Sequence, residues 1–163
     1  MGMTCNLLRV SAAELEAYKQ DSNLLVERIK AASTDAAHYD IDQSWDGIVF
    51  LLTGKNSSDG SHSLSRIIFS GQYIDKEQKL DYGPANYLSP DEVATLNETI
   101  ANTKLSDLKP RFDAALMKEE GVYPNAWEHE DALDYLLEYF ETIQEIYALA
   151  TKHKEAIITY ISH

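Results

Sequence analysis

Cysteine is nearly absent: Cys5 stands alone in 163 residues, which excludes an internal disulfide and fits a reducing compartment. Long apolar runs are missing too, and none reaches the ~18 residues of a membrane helix. The opening Met1-Gly2-Met3-Thr4-Cys5-Asn6 has no basic region followed by an apolar stretch, so no secretory signal is expected. Cations are scarce, with 14 Lys and Arg against 27 Asp and Glu, a formal net charge of −13. Such a chain repels phosphate backbones and anionic lipid, which argues against nucleic acid or a membrane as its partner. The cytoplasm is the expected compartment.

Catalytic signatures are missing as well. There is no G-x-S-x-G elbow and no G-x-G-x-x-G turn. Thr53-Gly54-Lys55 falls short of a phosphate-binding loop, because Val49 and Asn56 stand where that motif needs Gly and Ser or Thr. The five His, at 38, 62, 129, 153 and 163, have no H-E-x-x-H spacing. Glu128-His129-Glu130-Asp131 is the densest donor cluster. Consecutive residues diverge on a helix, so it reads as the acidic first turn of a helix rather than a metal site. Cys5 has only Arg9 nearby to stabilise a thiolate and is expected to be a buried strand thiol. No metal and no cofactor are expected.

What remains is the composition of one folded domain spanning 1–163: 44% hydrophobic, 25% charged, with ten Tyr, two Trp and four Phe. Cys5–Val10 reads as a strand. Ser11-Ala12-Ala13-Glu14 is a capping box opening a helix to about Lys19, and a second helix runs through Leu24, Leu25, Arg28 and Ile29. Asp42 is expected to cap a helix through Trp45, Ile48, Val49 and Leu52 that stops at Gly54. Lys55–Ser63 is a polar loop, and Leu64–Phe69 reads as a strand, with a helical turn as the alternative. Ser89-Pro90-Asp91-Glu92 combines an N-cap, Pro at the first helical position and two carboxylates, and starts a helix to about Asn102. Ser106 can cap a short helix, and Gly121 ends the one holding Leu116 and Met117. The longest helix runs from about Asp131 to Lys152, with Leu133, Leu136, Leu137, Phe140, Ile143 and Tyr147 on one face. Ala156–Ile161 reads as a terminal strand. The expected fold is α+β, mostly helical, with a small sheet joining the two ends of the chain.

Several stretches taken together resemble the YfbM-like family. They are Met1-Gly2-Met3; Asp40-Ile41-Asp42 with Trp45 and Phe50-Leu51-Leu52-Thr53-Gly54; Leu64-Ser65-Arg66; Asp81-Tyr82-Gly83-Pro84-Ala85 through Tyr87-Leu88-Ser89-Pro90; Arg111-Phe112-Asp113 with Met117; and Tyr123-Pro124. The resemblance implies a bacterial α+β domain and carries no established activity. Cys5 replaces a common Gly, Val49 a common His and Ser63 a common Pro; with Val49 there, no site of this chain depends on that His. The polar motif residues Asp40, Asp42, Trp45, Asp46, Arg66, Asp81 and Arg111 have two readings. They line a shared pocket, or they are framework, with Asp42 as a cap, Trp45 in the core, Asp81 in a turn and an Arg paired with an Asp.

Charge is unevenly placed. Phe112 to Glu145 holds ten acidic residues and one basic residue, Lys118, which is nine (ten minus one) of the thirteen net negative charges. Asp134, Glu138, Glu141 and Glu145 recur at spacings of 4, 3 and 4 and form one stripe opposite the apolar face. The stripe is either a solvated face or a surface that meets a basic protein. Two functions follow as expectations: a non-enzymatic interaction module, for example an immunity-type inhibitor of a cationic toxin, or a small-molecule-binding domain or weak hydrolase using the motif Asp and Arg residues.

Overall fold

A computed structural model of the chain describes residues 2–163. The first strand, β1 (Thr4–Val10), lies antiparallel to the last, β4 (Ala156–Ser162), in unbroken register from Thr4↔Ser162 to Val10↔Ala156. The two ends of the chain therefore make the centre of the sheet. Two short strands complete it, β2 (His38–Asp40) beside β1 and β3 (Asn86–Leu88) beside β4, in the order β2-β1-β4-β3.

Alternation along the central strands sends their side chains to opposite faces, and both faces are covered. Cys5, Leu7, Ile157 and Ile161 join the larger core, whereas Leu8, Val10, Ala156, Ile158 and Tyr160 join the smaller one. This explains why the strands read as near-continuous apolar runs. The smaller core is roofed by α1 (Ala12–Gln20) and α2 (Ser22–Lys30). The Ser11–Glu14 capping box opens α1 as the sequence indicates, and Asp21 caps α2.

The larger core is built by α3 (Trp45–Thr53), α4 (Pro90–Asn102) and α7 (Ala132–Lys152), with two short helices between them, α5 (Leu105–Leu108) and α6 (Ala114–Glu119). The Ser89–Glu92 capping box with Pro90 starts α4, and left-handed Gly54 ends α3. Along α7, Leu136, Leu137, Phe140, Ile143 and Tyr147 are buried and Leu133 is partly so. Gly47 lets α3 approach α7 closely: a Cβ there would stand 2.7 Å from both a Leu136 methyl and the Trp127 ring. Among the described residues no helix is long and apolar enough to cross a membrane.

Three local readings differ from the sequence-based ones. Ser63–Ile67 is a 3-10 turn, not a strand, because Leu64, Ile67 and Ile68 are all buried and a strand would have buried Arg66 alongside Leu64 and Ile68. Ser106 lies inside α5, which begins after Lys104, whose N–H is held by Asp107. Asp42 caps nothing; it opens a 3-10 turn (Asp42–Ser44) with a positive φ of 55° and turns its carboxylate to α7.

Candidate functional site

Motif stretches far apart in sequence meet at one corner of the fold. The Trp45 indole, 5% exposed, donates to the Met3 carbonyl at 3.0 Å, and the Met3 N–H donates to the Tyr123 hydroxyl at 2.7 Å. Trp45 and Tyr123 close the triangle by stacking, with centroids 5.3 Å apart. Gly2 lies against the Gln43 amide and the Tyr123 hydroxyl, so a Cβ there would force Gln43 to shift and stand 2.8 Å from that hydroxyl. Beneath them Asp46, 4% exposed, accepts from the N–H of Ser57 at 2.6 Å and of Tyr123 at 2.8 Å. One buried carboxylate thus fixes the polar loop and the Tyr123-Pro124 segment to α3, through charge-assisted bonds.

Next to this corner opens a cleft of about 320 Å³ whose lining includes Asp42, Gln43, Pro124, Trp127, His129 and Tyr135. The Tyr135 hydroxyl donates to the Asp42 carboxylate at 2.6 Å and accepts from the Gln43 N–H at 3.0 Å. Burial, and then the Asp42 charge, push the Tyr135 hydroxyl well above its ordinary pKa, so it stays a donor. The backbone at Asp42 lies in the left-handed region, which costs a non-glycine residue about 1 kcal/mol. Asp40 holds it there by accepting from the Asp42 N–H at 2.8 Å. His129 turns its Nδ1 to the Asp131 N–H, 3.2 Å away.

The remaining motif residues are dispersed. Arg66 pairs with Glu92 at 2.6 Å, and Gln72 adds a bond to the same carboxylate. Burial alone would raise Glu92, but Gln72, the Ser89 N–H and Arg66 outweigh it and hold the carboxyl at about 2. Arg111 donates to the carbonyls of Leu51 and Leu52, both at 3.0 Å, satisfying the end of α3 where a cation also suits the helix dipole. Asp81 sits in the turn before β3, 3.6 Å from His163. Asp42 and Arg111 line different cavities. The expected Arg–Asp pair is thus an Arg–Glu pair, and the second Arg binds backbone.

On α7, Asp134, Glu138, Glu141 and Glu145 are all exposed, and among the described residues none forms an ion pair. Glu128, His129 and Glu130 precede the helix, so of that acidic run only Asp131 reaches its N-cap. Tyr139 links the stripe to the motif corner. Burial and then the charges of Asp42, Asp40 and Glu138 raise its hydroxyl pKa, so three carboxylates from two segments act on one ring. Tyr135 and Tyr139 touch edge to face at 5.1 Å.

Cys5 is fully buried, and burial pushes its thiol far above the ordinary value, away from nucleophilic chemistry. Among the described residues no three His, Cys, Asp or Glu side chains gather as metal ligands would. Sequence reasoning weighed His129 only as part of an acidic run and missed Tyr135 and Tyr139; the Tyr135 partner Asp42 lies 93 positions away. Only the positions of Tyr135 and Tyr139, one turn apart between the apolar and acidic faces of α7, gave a signal.

The match to known proteins agrees with this architecture. A family model described as a domain of unknown function, DUF1877, matches residues 1–160. No curated protein matches the chain. The crystal structure of YfbM from Escherichia coli, a protein of unknown function, is similar with a TM-score of 0.77 and 16% identity, covering 98% of this chain and 99% of that one. At that identity the likeness is one of fold, and it bears out the YfbM-like resemblance of the motifs. Matched over nearly its whole length, the chain belongs to the DUF1877 family.

Proposed function

We propose that this chain is a non-enzymatic module that binds a basic protein through the outer face of α7, as an immunity-type inhibitor of a cationic toxin would. One observation carries the reading: Asp134, Glu138, Glu141 and Glu145 form an exposed line without cation partners among the described residues, extended past Tyr139 by Asp40 and Asp42. Carboxylates left unneutralised on a rigid helix speed encounter with a cationic surface and select against acidic partners. Tyr135 and Tyr139 beside them supply the aromatic contact area that interfaces favour.

The reading is tested by titrating the protein against a panel of basic toxins, such as cationic nucleases, at two ionic strengths. A complex whose association rate falls with added salt, and falls again in Glu138→Lys/Glu141→Lys, supports it. Affinity indifferent to both, or no complex with any cationic protein, sinks it.

A second reading, a small-molecule-binding domain or weak hydrolase, rests on the left-handed Asp42 at the cleft it shares with Tyr135 and His129. Its working groups would be those three. Amide shifts at Gln43, His129 and Tyr135 on adding small metabolites would support it, and silence there across a metabolite library would dismiss it.

A further inference from the structure

A second cleft, on the other side of the sheet edge, has a different character. Five large hydrophobic side chains are exposed among the described residues, and three of them, Phe69 (37%), Tyr73 (43%) and Tyr82 (49%), line this one cleft of about 450 Å³. It opens where β3 stops: Asn86 pairs with Thr159, so beyond it Tyr160 and Ile161 of β4 have β1 on one side and the cleft on the other.

Two buried polar residues reach the same cleft. Asn86 is 6% exposed; its Oδ1 accepts from the Gly71 N–H at 3.1 Å, but its Nδ2 donates to no protein group among the described residues. Ser57 is 8% exposed; its N–H is held by Asp46, while its Oγ has no protein partner there either. Neither atom is sealed from water: the buried side-chain atoms without a partner among the described residues lie elsewhere, so Asn86 Nδ2 and Ser57 Oγ face the solvent of the cleft and are free to bond a ligand there. Among the described residues no Asp, Glu, Lys, Arg or His lines it, the His163 ring packing edge-on behind Tyr82.

We infer that this cleft binds an uncharged saccharide. The C–H face of a pyranose ring covers an aromatic ring, while its hydroxyls accept from Asn86 Nδ2 and pair with Ser57 Oγ. A purely apolar ligand would leave both polar groups unpaired. A phosphorylated sugar or nucleotide would meet no cation in the cleft and a protein of net charge −13 around it.

The test is amide-resolved NMR titration of the whole chain with glucose, galactose, N-acetylglucosamine, maltose and cellobiose at millimolar concentration. The expected result is saturable shifts, from at least one of them, centred on Ser57, Gly71, Tyr73 and Asn86. Tyr82→Ala and Tyr73→Ala should each weaken that binding about tenfold. Both side chains are half-exposed, so unfolding midpoints should stay unchanged. Asn86→Asp keeps the acceptor for Gly71 and removes the free donor, and should weaken binding further. The proposal is overturned if no sugar gives saturable shifts, if shifts centre elsewhere, or if Tyr82→Ala and Tyr73→Ala bind as the parent does.

Discussion

The Tyr135 hydroxyl stands 2.6 Å from the Asp42 carboxylate, joining a strained turn to the longest helix across 93 positions of sequence. Tyr135→Phe removes this donor and the acceptor of the Gln43 N–H, and should destabilise the protein by about 1–2 kcal/mol in urea unfolding. Asp42→Gly relieves the left-handed backbone but loses the same bond. It should therefore cost less stability in the Tyr135→Phe background than in the parent. A double-mutant cycle on unfolding free energies reads the coupling directly.

Asp46 offers a sharper effect. Asp46→Ala leaves the buried N–H groups of Ser57 and Tyr123 without an acceptor and should cost about 2–4 kcal/mol, measured by thermal or urea unfolding. Asp46→Asn keeps one acceptor oxygen and should cost roughly half as much.

Much of the architecture was legible where the determining contacts are local. Ser11–Glu14 and Ser89–Glu92 each hold donor and acceptor three residues apart, so both helix starts follow from the sequence. The short strands were not legible. His38–Asp40 and Asn86–Leu88 are three residues each and exist because β1 and β4 offer edges far along the chain. The same limit applies to the corner around Trp45. Its residues appeared as motif fragments, but hydrogen bonds spanning 120 positions, as from Met3 to Tyr123, leave no local trace. Asp42 misled because an Asp before a helix is usually a cap, and here a helix from elsewhere claims its carboxylate.

Gly47→Ala tests the α3–α7 contact. Alanine suits a helix better by about 1 kcal/mol, but its methyl would collide with Leu136 and Trp127 in the core. Overpacking should prevail, giving a net loss of about 1–2 kcal/mol in unfolding free energy.

Glu92 gives a pH signature. Its folded pKa of about 2 lies below the ordinary 4.5, so its stabilisation is present above 4.5 and is lost as pH falls toward 2. Glu92→Gln lacks that component. Urea unfolding of the two proteins should differ by about 1–2 kcal/mol at pH 6, a modest value because the Arg66 pair is partly open to water. The difference should narrow steadily below pH 4.5.

The α7 stripe should trade stability for binding. Glu141 faces Glu138 and Glu145 three and four positions away. Glu141→Lys converts two repulsions into attractions and should raise stability by about 0.5 kcal/mol. The same change should slow association with a cationic partner, measured by stopped flow at low salt.

Because β1 finds its main partner in residues 156–162, the order of synthesis matters. The first strand to leave the ribosome can meet α1, α2 and the three-residue β2 early, but its full-length partner follows only after residue 155 has been made. Sheet formation is therefore a late, whole-chain event, and a chain stopped before residue 156 should fail to fold and invite chaperones or proteases.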